Sequence, residues 1–69
     1  MLSIEDIQKC AKYGIDVKNH VHSGETGVLL FRATGRVGKA ELSATGERFF
    51  ETIRDCIRAC DIISQVETL

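Results

Sequence analysis

The chain has 69 residues, a formal net charge of −1 and 28% charged residues, which leaves room for one domain and gives no general electrostatic grip on nucleic acid or an acidic membrane surface. A chain this short buries only about 60% of the surface its unfolded form exposes, so its core is marginal and calls for a disulfide, a metal or a partner chain. No stretch approaches the ~18 apolar residues of a membrane span. The first residues, Met1-Leu2-Ser3-Ile4-Glu5-Asp6, have neither the basic region nor the apolar run of a secretory signal. With three cysteines, an odd number, the expectation is a cytoplasmic protein with reduced thiols rather than a disulfide framework.

The first predicted element is a helix over Ile4 to Tyr13. Ser3 is placed to cap it, with Asp6 three residues on as in a capping box, and Leu2 can staple onto Ile7. Ile4, Ile7, Cys10 and Ala11 recur at helical spacing and predict a narrow buried stripe. Gly14 supplies the left-handed residue that ends the helix.

Ile15, Val17, Asn19 and Val21 alternate with Asp16, Lys18, His20 and His22, which predicts a strand with one wet face. Ser23-Gly24-Glu25-Thr26-Gly27 reads as a turn. The apolar run Val28-Leu29-Leu30-Phe31 predicts a central strand covered on both faces. Gly35-Arg36-Val37-Gly38 reads as a second tight turn, followed by a short third strand from Lys39 to Leu42.

The last element is a long helix from about Gly46 to Gln65, capped by Ser43 or Thr45. At about 100° per residue, Phe49, Ile53, Cys56, Cys60 and Ile63 share one arc, with Phe50 and Ile57 on its shoulder. Charged residues cover the other side and pair as Glu51–Arg54, Asp55–Arg58 and Arg58–Asp61. The expected fold is therefore α+β, one domain over residues 1–69. It consists of a helix, an antiparallel hairpin or three-strand meander, and a long C-terminal helix packed on one sheet face.

Four constellations bear on function. His20 and His22, two apart on a strand, and Cys56 and Cys60, four apart on a helix, could together hold zinc tetrahedrally. The cysteines, however, sit within the apolar stripe, where free cysteine acts as a small hydrophobe, and no metal or other cofactor is expected. Cys10 lies late in its helix, with no helix N-terminus behind it to form a thiolate. Gly35-Arg36-Val37-Gly38-Lys39 has too few residues between its glycines for a Walker loop, and Ala40 follows where Ser or Thr is needed. No enzymatic constellation can be assembled.

Arg32, Arg36 and Lys39 form the fourth, three bases with no acid between Val28 and Ala40. On the order of three neutralised phosphates gives weak, salt-sensitive nucleic-acid binding at most. The order helix, strands, helix resembles in topology the double-stranded-RNA-binding domain. That family sets a lysine cluster at the start of its last helix; the corresponding Ser43-Ala44-Thr45-Gly46-Glu47 has no lysine and one acid, so membership is not assigned.

What remains is apolar surface left over once the helix stripe is filled. Ile62 falls on the charged side of the long helix, and Val66 and Leu69 extend beyond its last well-formed turn. These three are the expected partner-binding residues of a non-catalytic interaction module. The expectation is a homodimer involving the C-terminal helix, a regulator or inhibitor that occupies a surface of a partner protein. Stand-alone domains of this size include antitoxin-like, immunity and phage-encoded inhibitor proteins. The alternative is weak nucleic-acid binding through Arg32, Arg36 and Lys39.

Overall fold

Helix α1 spans Ile4–Tyr13, and its start is fixed by a complete capping box. The Asp6 amide donates to Ser3 Oγ at 3.1 Å, and the Ser3 amide donates back to the Asp6 carboxylate at 3.3 Å. Two of the helix's orphan amides are thereby satisfied. Gly14 ends it in the left-handed region at φ 61°. The structure, a computed structural model, describes residues 1–21 and 29–67, and for His20, Val21 and Glu67 it describes the backbone. The turn expected at residues 23–27, Val28, His22 and Leu69 lie outside the described residues.

Three antiparallel strands follow, β1 (Asp16–Val21), β2 (Leu29–Val37) and β3 (Ala40–Gly46), in the order β1-β2-β3 with β2 central. Helix α2 (Phe49–Glu67) closes the chain. The expected α+β class, the meander and the packing of the long helix on one sheet face all hold.

Two expectations inside this frame are corrected. The second turn is not Gly35 to Gly38: β2 runs on to Val37, which pairs with Ala40, so only Gly38 and Lys39 form the turn. Gly38 at φ 57° supplies the backbone twist such a two-residue connection needs. Strand β3 is also longer than Lys39 to Leu42 and absorbs Ser43 and Thr45, which therefore do not cap α2. Its alternation Ala40-Glu41-Leu42-Ser43-Ala44-Thr45-Gly46 is a strand pattern, with each polar residue exposed and its neighbours half-buried.

In the register, Ala33 stands between Val17 and Ala44, so these residues share the face beneath the helices. The core cluster is Tyr13, Ala33, Val37, Cys56 and Cys60, with Ile15, Val17, Leu42, Ala44 and Ile63 packed against it. Small residues on β2 let α2 approach closely. A Cβ on Gly35 would stand 2.6 Å from Ile15 Cδ1 and 2.8 Å from Cys60 Sγ. Among the described residues, the largest fully buried side chains are only Thr52, Cys56 and Cys60. Side chains of that size bury little apolar area, so each contributes less than a buried leucine or phenylalanine.

Among the described residues, no helix or strand packs on the opposite sheet face, which is bare in that sense. Arg32 and Arg36 are exposed there and Leu30 and Thr34 half-buried, so β2 is central but not covered on both faces. The apolar run of β2 instead places Leu29 and Phe31 on the helix side, where Leu29 remains 47% exposed.

Candidate functional site

The two helices run in the same direction along each other, because their contacts advance in step. Asp6 meets Arg54 at 3.7 Å, while Lys9 and Tyr13 further along α1 meet Asp61 further along α2. Asp61 accepts from Lys9 Nζ at 2.8 Å and from the Tyr13 hydroxyl at 2.5 Å. Hydrogen bonds from Lys9 and Tyr13 hold the Asp61 carboxyl below its ordinary pKa, and the bonds to Asp61 push both partners up. Arg54 also donates to the Met1 carbonyl. The expected pairings Glu51–Arg54 and Arg58–Asp61 give way here: Arg54 and Asp61 turn toward α1, and Glu51 pairs with Arg48 at 3.4 Å.

This polar clamp has a consequence for α1. The side of the helix turned to α2 carries Asp6, Lys9, Cys10 and Tyr13, all buried or half-buried. Ile4 and Ile7, expected in the buried stripe, are instead 76% and 57% exposed, and Ala11 is exposed with them. They lie on the far side of the wheel from Asp6, Lys9 and Tyr13. The ion pairs and the Tyr13 ring take the contact with α2, and the isoleucines are left outside.

On α2, Ile62 and Val66 are 55% and 60% exposed. Four residues apart, they share one flank, turned away from the sheet-facing Cys56 and Cys60 and from the α1-facing Arg54 and Asp61. Half-buried Ala59 and Ile63 border it. Leu69, expected as the third member, lies outside the described residues.

Cys56 and Cys60 are both fully buried against the sheet. Burial, with Cys60 alongside, pushes the Cys56 thiol up to about 11, and burial likewise pushes Cys60 up. Half-buried Cys10 is raised by burial and by Asp6. At neutral pH all three are thiols rather than thiolates, the form that neither attacks nor ligates readily. Of the His20, His22, Cys56 and Cys60 set weighed for zinc, His22 lies outside the described residues and of His20 only the backbone is described. Among the described residues no three His, Cys, Asp or Glu side chains gather as metal ligands.

Arg32 and Arg36 stand on the bare face of the central strand rather than at a sheet edge, and Lys39 is exposed in the β2–β3 turn. The register adds a base that sequence reasoning missed, because Lys18 sits directly across from Arg32. It also adds an acid, Glu41, directly across from Arg36. A shallow pocket of about 290 Å³ opens beside this face, lined by Tyr13, Gly14, Thr34, Gly35, Arg36 and Glu41. It forms where β1 stops short, since Asp16 pairs with Thr34 and nothing in β1 pairs with Gly35 to Val37.

No helix among the described residues is long and apolar enough to cross a membrane. No family model, curated protein or solved structure matches the chain.

Proposed function

We propose that this chain is a small non-catalytic interaction module of the cytoplasm, a dimeric regulator or inhibitor that acts by covering a surface of a partner protein. The observation that carries the reading is the Ile62–Val66 flank. Two branched apolar side chains stand in solvent on one line of α2, while the opposite side of the same helix is closed down to fully buried cysteines. Leu69 is the proposed third contact. Clustered exposed apolar groups beside a polar surround are what transient protein interfaces use. The thiols, raised rather than lowered, offer no activated nucleophile, which favours binding over chemistry.

The test is affinity capture from the native cell with wild-type protein and with the Ile62→Asp/Val66→Asp pair. Loss of a captured protein by the pair, with helix content unchanged by circular dichroism, supports the reading. Equal capture by both ends it.

A second reading, weak nucleic-acid binding, is favoured by the alignment of Lys18 with Arg32 on the bare sheet face, with Arg36 further along and Lys39 at the turn. It is the weaker of the two. Asp16 and Glu41 interrupt the positive charge, and the sheet's aromatic Phe31 lies on the helix side against Phe49, so among the described residues no strand puts an aromatic ring on the bare face. Anisotropy titration at low salt, with Arg32, Arg36 and Lys39 reversed in charge as control, tests it: no binding by wild type ends it.

A further inference from the structure

We infer that the notch beside Gly35 and Arg36 binds a small zwitterion, a free amino acid whose carboxylate meets Arg36 and whose ammonium meets Glu41. The site shares no residue with the Ile62–Val66 flank, so the inference goes beyond the proposed function and stands or falls apart from it.

Unequal strand lengths make the notch. Strand β2 runs on to Val37, whereas β1 begins only at Asp16, across from Thr34, because the chain before it belongs to Gly14 and α1. In the β2–β3 ladder the two-residue connection makes Val37 and Ala40 a hydrogen-bonded pair, and alternation makes Gly35 and Leu42 the next one. The amide and carbonyl of Arg36 therefore point the other way, toward the missing length of β1. Among the described residues no backbone group meets them there. Gly14 lines the same pocket, and apart from its neighbours along the chain no atom lies within 4 Å of where its Cβ would stand. Backbone donor, backbone acceptor and open space thus coincide.

The side chains supply opposite charges. Arg36 and Glu41 stand directly across from each other, and both line the pocket. Cross-strand partners at such a position are close enough to pair. These two do not: neither the guanidinium nor the carboxylate has an ion pair with any described residue. The Thr34 hydroxyl, which donates to the Asp16 carbonyl at 3.4 Å, keeps its lone pairs as acceptors. Tyr13, buried and tied to Asp61, forms the wall toward α1. Asp16 itself does not line the pocket.

This pairing of charges selects the class of ligand. A phosphate or other simple anion would meet the Glu41 carboxylate beside Arg36, and a simple cation would meet Arg36 beside Glu41. A carboxylate and an ammonium on one carbon satisfy both. The carboxylate takes the Arg36 fork and amide, and the ammonium takes the Glu41 and Thr34 oxygens. Size agrees. The pocket's 290 Å³ lies at the foot of the roughly 300–1,000 Å³ of ligand pockets, which suits a single small metabolite and not a polymer.

Amide NMR spectra of the full chain, titrated with each common free amino acid to tens of millimolar, test the inference. At least one amino acid is expected to give saturable shifts at the Gly14, Gly35 and Arg36 amides. Its N-acetyl derivative and its carboxamide should each bind about tenfold more weakly or worse, because each leaves one charged group of the site without a partner. Arg36→Gln and Glu41→Gln should each lose about tenfold in affinity, with the amide dispersion of the remaining residues unchanged. No saturable shift at these amides with any amino acid overturns the site. A derivative that binds as well as its parent overturns the zwitterion, leaving a carboxylate site or an amine site. Saturable shifts that survive both substitutions overturn the roles of Arg36 and Glu41.

Discussion

Helices α1 and α2 carry the same kind of apolar periodicity and use it in opposite ways. In α2 the stripe predicted by the wheel is buried at Ile53, Cys56 and Cys60 and half-buried at Ile63, although Phe49 at its start and Phe50 on its shoulder remain 40% and 43% exposed. In α1 the stripe faces solvent, and the contact with the rest of the molecule is made by Asp6, Lys9 and Tyr13. Periodicity reports that a helix has an apolar face. Which neighbour covers that face is decided elsewhere, here by two carboxylates and two bases that fix how α1 lies on α2. The binding role proposed above rests on α2's own uncovered flank, Ile62 and Val66, and the exposed isoleucines of α1 add apolar surface that no other described residue covers.

That contrast can be broken most forcefully at Ile53, which is 4% exposed. Ile53→Ala should cost about 2–5 kcal/mol, because the cavity left under α2 adds to the lost transfer free energy. Urea denaturation measures it, and a loss below 1 kcal/mol would mean that α2 does not seat as described. Gly35→Ala comes next. The new methyl meets Cys60 Sγ and Ile15 Cδ1 well inside contact distance, so these side chains or the backbone that carries them must shift, at about 1–3 kcal/mol for overpacking. A neutral outcome would show that α2 stands further from β2.

How much of this was legible in the sequence divides along the same line. The bounds of α1, its Ser3–Asp6 capping box and Gly14 are local features, set by residues within a few positions of one another, and they were readable. The start of α2 was not, because Ser43 and Thr45 are good caps in isolation and the competing claim of β3 on them comes from pairing with Arg32 and Thr34. The exposure of Ile62 follows from its place on the wheel, whereas Val66 is exposed within α2, which runs on to Glu67, rather than beyond its last turn. The exposure of Ile4 and Ile7 was not legible, since it depends on ion pairs between residues as far apart as Lys9 and Asp61. Lys18 and Glu41 joined the basic face only through the strand register. Tyr13, read simply as the end of a helix, proves to be a buried anchor, and a signal existed: an aromatic one turn after Lys9 on the same side.

The clamp itself gives a smaller and pH-dependent effect. Asp61 has its pKa lowered in the folded state, so its contribution is complete above the ordinary carboxylate value near 4 and fades as pH falls through the lowered one. Lys9 and Tyr13 are raised, so their contributions are complete below about pH 10 and fade as pH climbs through their raised values. Stability should therefore show a plateau between these limits. Asp61→Asn keeps an acceptor but removes the charge, and should lower the plateau by about 1 kcal/mol while flattening the acid limb. The acid slope that remains belongs to Asp6, lowered by its bonds to Ser3. An unchanged acid limb in Asp61→Asn would place the clamp's strength in Arg54–Asp6 instead.

The smallest effect expected on the single chain sharpens the comparison furthest. Ile7 is as apolar as Ile53 and has the same periodicity, yet in dilute, monomeric protein Ile7→Gln should shift stability by no more than about 0.5 kcal/mol, the range of ordinary surface changes. The two isoleucines would then differ several-fold in cost for the same side chain, with burial as the only variable. Urea denaturation of both variants measures the difference, and a loss for Ile7→Gln as large as that for Ile53→Ala would mean that Ile7 is covered by the rest of the chain.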